Sequence, residues 1–293
     1  MASLKEIKGR INSVKSTQKI TSAMKMVASS KLRKAQYQTE RFLPYQQKLN
    51  EMLNAFLSSK PEFDSKLSEN REVKRAAIVV FSSNSSLCGI FNSNVQRLLV
   101  ERLSHYKRLK CPDVRIYTVG KKIQDYAQKI FLPFKIKGDY FDLIDKPYFE
   151  GAKEIADQLI RDFLEEKIDR VDVIYNHFKS SGVQIPVTEQ YLPIDLNAVS
   201  QTGAPQTFTD YLIEPDSETI LNILIPKSLR SKLYAALLDS VAAEHAARMV
   251  AMQIATDNAT DLLDELTIQY NKQRQQTITN ELLDIVGGSE AQK

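Results

Sequence analysis

The stretch KSLRSKLYAALLDSVAAEHAARMVAMQIATDNATDLLDELTIQYNKQRQQTITNELLDIV, Lys227 to Val286, runs for 60 residues without a Gly or a Pro. A breaker-free run of this length reads as one very long helix. At about 1.5 Å per residue it would extend about 90 Å. A compact 150-residue domain has a radius of gyration of only about 15 Å. Such a helix cannot be buried by its own globular domain and needs a second long helix, a partner chain, or both. The other end of the chain offers the second helix. Arg10 to Leu43 and Tyr45 to Lys60 also lack both breakers, and only Pro44 separates them. Inside a helix Pro44 removes a hydrogen bond, so a kink is expected there.

The two segments carry matching apolar seams. Leu4, Ile7, Ile11 and Val14 step by 3, 4 and 3, as in a heptad. The seam is expected to continue through Ile20, Met24, Val27 and Leu32 and to return at Leu49, Leu53 and Phe56. The C-terminal segment has Leu229, Leu233, Leu237 and Val241, then Met249, Met252, Leu262, Leu266, Ile278, Leu282 and Ile285. Between them a run of alanines, from Ala235 to Ala251, lets a second helix come close. Residues 1–60 and 211–288 are therefore expected to form a long antiparallel two-helix coiled coil, closed by whatever lies between. With residue numbers in register summing to about 275, Met1 falls opposite about residue 270. The last apolar stretch, Ile278 to Val286, then extends past the start of the first helix. Its Ile278, Leu282, Leu283, Ile285 and Val286 form an apolar tip that another protein would surround. Gly287 and Gly288 are expected to stop the helix.

The middle of the chain has a different rhythm. Strands are expected at Ala76–Phe81, Val114–Gly120, Phe134–Lys137 and Val171–Phe178. Val183–Pro193 is expected as an edge strand because it contains Pro186. Helices are expected at Phe91–Leu109, Lys121–Ile130 and Tyr148–Lys167. Alternating strands and helices argue a Rossmann-like α/β sheet domain over 72–195, followed by loop through 196–215. The fold class is thus α/β plus coiled coil, with the sheet domain inserted between the two helices.

Few residues suggest chemistry. The loop SSNSSLCGIFN, Ser82–Asn92, follows the first strand, where an α/β enzyme keeps a binding loop. It has one glycine and no lysine, so a turn with a buried Cys88 is the simpler reading. No P-loop or dinucleotide fingerprint occurs, and His105, His177 and His245 have no ligand spacing. Asp257, Asp261, Asp264 and Glu265 sit at helical spacing, which fits a solvated or ion-paired face better than a metal site. No catalytic, cofactor-binding or metal-binding residue is expected. Two isolated cysteines, Cys88 and Cys111, fit a reducing cytoplasmic compartment. No run of about 18 apolar residues exists, so no membrane-spanning helix is expected. The start MASLKEIKGR lacks the apolar core of a signal peptide, and no cleaved targeting segment is expected.

Hydrophobic content of 43% and charged content of 26% are those of a globular chain. The net charge of +4 hides a split. Residues 1–60 hold 12 Lys/Arg against 3 Asp/Glu, residues 61–210 hold 21 of each, and residues 211–293 hold 7 against 12. Attraction between the basic and acidic segments is expected to help register the two helices. The basic surplus must face something negative: nucleic acid, or an acidic protein surface. Against nucleic acid, no aromatic residue precedes Tyr37 and no DNA-binding motif appears.

Two long motifs then carry a family resemblance. ITSAMKMVASSKLRKAQ (Ile20–Gln36) and AAEHAARMVAMQIATDNATDLLDELTIQYNKQRQQTITNELLDIVGG (Ala242–Gly288) closely resemble the gamma subunit of F-type ATP synthase. LCGIFNSN (Leu87–Asn94) and YLIEPD (Tyr211–Asp216) match two further family segments in the correct order. The family usually has an Asp, a basic residue and a Gly before LCG, where this chain has Asn84, Ser85 and Ser86.

The resemblance implies a central rotor shaft inside a ring of alternating alpha and beta subunits. Its foot would rest on the membrane-embedded c-subunit ring with the epsilon subunit. Ion flow, with the proton as the expected ion, would turn the shaft and drive ATP synthesis on the beta subunits. The resemblance implies a non-catalytic subunit without cofactor, peripheral on the cytoplasmic face of a bacterial inner membrane. By resemblance the beta-subunit contact region includes Met24, Lys25, Arg248, Asn271, Arg274 and Gln275. Tyr211 and Glu214 would lie at the foot, near the c ring or epsilon, and the tip would sit in an apolar collar. The alternatives are a basic coiled-coil scaffold binding nucleic acid, and an α/β enzyme with helical dimerisation arms.

Overall fold

Two helices with opposite chain directions begin and end the molecule. The computed structural model describes residues 3–59, 65–130, 135–138, 140–194, 214 and 216–290. In chain order these form α1 (Leu4–Ser59), β1 (Arg75–Phe81), α2 (Phe91–Arg108), β2 (Asp113–Val119) and α3 (Lys121–Ile130). There follow β3 (Lys135–Lys137), α4 (Asp142–Asp145), α5 (Phe149–Leu164), β4 (Arg170–Ser180), β5 (Val183–Leu192) and α6 (Ser217–Glu290). The chain divides into two compact units, one of Met1–Ser29 with Arg248–Lys293, the other of Ser30–Ala247.

The first unit is a helix pair. On α1, Ile7, Thr21 and Ala28 are buried, with Leu4, Ile11, Val14, Gln18 and Lys25 half-buried between them. The steps alternate 3 and 4 without interruption, which keeps one side of the helix on its partner. On α6, Met252, Ala259 and Leu266 are buried, and Thr256, Leu263, Tyr270, Gln273 and Thr277 are half-buried at the same spacing. Gln18 Nε2 donates to Thr260 Oγ1 at 2.8 Å, and Thr256 Oγ1 lies 2.8 Å from Thr21 Oγ1. These rungs make the pair antiparallel and place its register within about three residues of the expected one.

The seam corrects two expectations. Ile20 and Val27 do not lie in it: they are 59% and 58% exposed, and Gln18, Thr21, Lys25 and Ala28 occupy the inward positions instead. Strict heptad spacing prevails over side-chain polarity because threonine and glutamine satisfy each other across the seam. Close ion pairs do not hold the register either. Among the described residues no ion pair joins Lys5, Lys8, Arg10, Lys15, Lys19 or Lys25 to Asp257, Asp261, Asp264 or Glu265. Gln253 Nε2 donates to Asp257 instead, and Gln269 Nε2 to Glu265, both within their own helix.

Two prolines lie inside the long helices, and one expected helix end differs. α1 passes through Pro44 and α6 through Pro226. The carbonyls that lose their partners belong to Glu40 and Asn222, both exposed, so water can satisfy them. α6 also continues through Gly287 and Gly288 to Glu290. Glycine disfavours a helix interior by only about 1 kcal/mol, so two of them need not stop a helix this long.

The second unit contains a five-stranded sheet in the order β3-β2-β1-β4-β5. Its first four strands are parallel, and β5 is an antiparallel edge. β1 is central and apolar on both faces, as a parallel strand covered on both sides must be. Ala76, Ile78 and Val80 point to α2 and α3, where Val95, Leu99, Leu103 and Ile123 close a core. Pro186 sits on the edge strand, as expected, opposite Asn176. The expected third strand is observed at Lys135–Lys137, and its Phe134 lies outside the described residues. Within this unit α1 and α6 also meet antiparallel: Phe42 stacks edge-on against Tyr234 at 4.8 Å, and Ser228 Oγ lies 3.5 Å from Asn50 Oδ1.

Candidate functional site

The crevice at the carboxyl ends of the strands is the place where an α/β sheet binds ligands. Here the chain fills it with its own atoms. The first three N–H groups of α3, those of Lys121, Lys122 and Ile123, would be free to hold a phosphate. They donate instead to Asn84 Oδ1 (3.1 Å), the Ser83 carbonyl (3.1 Å) and Ser82 Oγ (3.1 Å). Asn84 Nδ2 in turn donates to the Phe141 carbonyl at 2.9 Å and to Asp145 at 3.0 Å. Gly120, at φ +114°, allows this closure: a Cβ there would stand 2.2 Å from the Ser82 carbonyl oxygen. Asn84 therefore acts as a staple that sequence reasoning noted only as a departure from a motif.

The same loop anchors on the C-terminal helix within the second unit. Cys88 is buried and packs with Phe91 against Ala243 and Ala247. Asn92 Nδ2 donates to its sulfur at 3.1 Å. Leu87 and Ile90 stay exposed, Leu87 at φ +68°. Cys111 is also buried, and burial pushes its thiol up from the ordinary range. Among the described residues no cluster of three or more His, Cys, Asp or Glu is placed to hold a metal.

The residues expected to meet beta subunits lie on the helix pair of the first unit. Lys25 occupies a half-buried seam position and Met24 is half-buried beside it. The Thr21–Thr256 rung puts Lys25 opposite Met252, one helical turn from Arg248, which is buried. Asn271, Arg274 and Gln275 are exposed. Asn271 stands 23 residues beyond Arg248 on the same helix, about 34 Å away. The six residues thus form two separate groups. Near the first of them Ile20, Met26, Val27 and Ile254 present exposed apolar side chains that the expected site did not include. An exposed apolar residue in a slot the heptad leaves outside is the signal that finds them.

The expected tip residues are all exposed: Ile278 48%, Leu282 58%, Leu283 63%, Ile285 68% and Val286 57%. The basic residues Lys5, Lys8, Arg10, Lys15 and Lys19 are exposed as well. Glu214 lies in an exposed bend before α6, and Tyr211 lies outside the described residues. Asp216 caps α6 by accepting the Thr219 N–H at 2.8 Å. No helix among the described residues is long and apolar enough to cross a membrane.

Comparison with known proteins covers the chain from end to end. Residues 3–292 match the family described as ATP-synt, ATP synthase. The ATP synthase gamma chain of Azobacteroides pseudotrichonymphae is 58% identical over 293 residues, covering 100% of both chains. That of Bacteroides fragilis is 55% identical over 293 residues, covering 99% of this chain and 100% of the relative. Among solved structures, the central stalk and c ring of the Tetrahymena thermophila mitochondrial ATP synthase contain a chain 27% identical, with a TM-score of 0.57. The match covers 80% of this chain and 99% of that one. A rotor chain of the Euglena gracilis mitochondrial ATP synthase shares the fold at 20% identity and a TM-score of 0.62, over 94% of this chain and 98% of that one. A helix pair with a polar seam and an exposed tip, a sheet domain with a self-filled crevice, and this full-length similarity agree: the chain belongs to the ATP synthase gamma-chain family.

Proposed function

We propose that this chain is the central-stalk rotor shaft of an F-type ATP synthase, coupling transmembrane ion flow to ATP synthesis. The observation that carries this reading is full-length similarity to gamma chains at 58% identity. As a component of the ATP synthase complex it works with the alpha and beta subunits of the catalytic ring, the epsilon subunit and the c-subunit ring. Its own part is mechanical and non-catalytic. Residues 1–60 and 211–288 form the shaft, and residues 72–195 form the foot.

The residues fit this work. A shaft turning in a sleeve needs contacts that exchange. Exposed lysines on α1, left without acidic partners on α6, meet acidic surfaces of successive beta subunits through screened contacts that form and release within a Debye length of about 8 Å. Met24, Lys25, Arg248, Asn271, Arg274 and Gln275 belong to this contact region. The tip, Ile278 to Val286, loses its exposure to water when a collar of the surrounding ring encloses it. Tyr211 and Glu214 lie at the foot, toward the c ring and epsilon. The driving ion is the proton, and the complex sits on the cytoplasmic face of a bacterial inner membrane. The crevice that binds nucleotide in other α/β sheets is closed by Ser82, Ser83 and Asn84, which leaves nucleotide chemistry to the beta subunits.

The test is a pull-down of the tagged chain from solubilised membranes of its host. Co-purification of alpha and beta subunits with ATPase activity is expected. A preparation that brings down no ATPase subunit, or brings down nucleic acid in their place, overturns the assignment.

A further inference from the structure

Within the second unit α6 is enclosed on almost every side. From Ala236 to Ala247 each residue is buried except Asp239, which is half-buried. Ala236, Ala242, Ala243, Ala246 and Ala247 make this stretch smooth. Apolar packing holds such a helix in place but is non-directional. It resists removal of the helix far better than rotation of the helix about its own axis. Hydrogen bonds have direction, so they can fix an angle.

Two elements of the sheet domain bond to α6 in this way. Arg230 Nε donates to Asp157 Oδ1 of α5 at 2.6 Å, with both side chains largely buried. Asp239 accepts the Phe178 N–H of β4 at 2.8 Å and lies 2.5 Å from His177 Nδ1. The Phe178 donor is backbone, so Asp239 is tied to the strand itself. Both anchors are firm: α5 buries Ile155, Leu159 and Phe163, and β4 lies between β1 and β5. β5 adds the Tyr191 hydroxyl, which donates to the Leu229 carbonyl at 2.9 Å, and Glu189, 3.5 Å from Lys232. Arg230 and Asp239 are nine residues apart, about two and a half turns, so their side chains leave opposite sides of α6. Forces applied on opposite sides of a cylinder form a couple and turn it. Forces on one side only push or bend it.

We propose, resting on the rotor reading, that Arg230 and Asp239 are the paired positioning residues through which a twisting load passes between the sheet domain and α6. Asp157 holds the helix on one side, and His177 with the Phe178 backbone holds it on the other. Without both, the alanine surface lets the helix turn further under the same load.

The test holds the assembled complex by its catalytic ring and tracks the angle of a single bead. The bead is attached at Lys107→Cys, an exposed position of α2, or at Glu218→Cys, an exposed position of α6 itself. Cys88 and Cys111 are buried and stay unlabelled. In Arg230→Gln with Asp239→Ala, the variance of the bead angle between steps is expected to rise about twofold at the Lys107 anchor, because non-directional apolar packing is what remains. At the Glu218 anchor, which bypasses the joint, no change is expected. Arg230→Lys with Asp239→Asn keeps a donor toward Asp157 and an acceptor for the Phe178 N–H, and is expected to return most of the stiffness. A merely structural role would lower the melting temperature without separating the two anchors. Unchanged variance at Lys107, or an equal rise at both anchors, would overturn the proposal. If the double variant does not assemble, Arg230→Gln and Asp239→Ala are read singly, and no rise in either would overturn it as well. Failure of the unmutated chain to assemble with ATPase subunits would overturn the rotor reading instead.

Discussion

Arg102 and Asp172 stand 70 residues apart in the chain, yet the Asp172 carboxylate is wholly enclosed and accepts Arg102 Nε at 2.5 Å and Nη2 at 2.9 Å. The Tyr106 hydroxyl donates to the same carboxylate, and Arg170 Nε approaches it to 3.4 Å. Burial first, and then the Asp172 charge, push the Tyr106 phenol far up, so it remains a donor at any physiological pH. The network ties α2 to β4. Arg102→Met leaves a buried carboxylate short of its main partner and is expected to cost about 3 kcal/mol or more in urea denaturation. The double variant with Asp172→Leu is expected to regain much of that loss, because an apolar pair of similar size costs little. A double variant no more stable than the single one would count against this account. Nothing in the sequence marks the pair, since a charged residue in a helix and one in a strand both read as surface. Asn84 was hidden for the same reason: its partners at Lys121, Phe141 and Asp145 are brought to it only by the sheet.

At the scale of elements, the sequence was most legible where period and breakers agreed. The expected helix at Lys121–Ile130 is the observed one, and the central strands shift by one residue or two. The antiparallel helix pair was legible because few other arrangements bury a helix of that length. On its inner side apolarity points to Ile20 and Val27, whereas the 3-4 spacing places Gln18, Thr21, Lys25 and Ala28 there. The observed seam is polar at Gln18, Thr21 and Thr256, and these residues position the helices against one another. A double-mutant cycle on Thr21→Val and Thr256→Val tests that role. The Thr21 hydroxyl donates to the Gln18 carbonyl and its oxygen accepts from Thr256, whose single proton is shared with the Met252 carbonyl. A coupling energy of about 1 kcal/mol is therefore expected from the cross-helix contact alone. Purely additive losses of stability would show that the rung does not set the register.

For the molecule as a whole, the charge split was visible at once and its meaning was not. Opposite net charges at the two ends suggest mutual pairing, but Asp257 and Glu265 of α6 accept from glutamines of their own helix, and Lys5, Lys8, Lys15 and Lys19 of α1 are exposed. The candidate contact residues came from family resemblance, and position alone does not separate them from other exposed helix residues. The tip can be separated from the fold by experiment. Deleting Ile278–Lys293 removes side chains that are exposed through Val286, so the melting of the isolated chain is expected to shift by no more than about 1 kcal/mol equivalent. Proton-driven ATP synthesis by the reconstituted complex is expected to fall several-fold. Unimpaired synthesis would show that the tip is not engaged.

The uninterrupted 3-4 spacing of the helix pair has a mechanical corollary. A seven-residue repeat is shorter than two natural turns of an α-helix, so the two helices must wind about each other in a left-handed sense. A chiral rope does not answer twist evenly. Torque of one sense tightens the winding and presses the Thr21–Thr256 and Gln18–Thr260 rungs together, while torque of the other sense slackens it and pulls them apart. The compliance of this pair is thus directional, and its stiffer direction is written in the spacing of its seam.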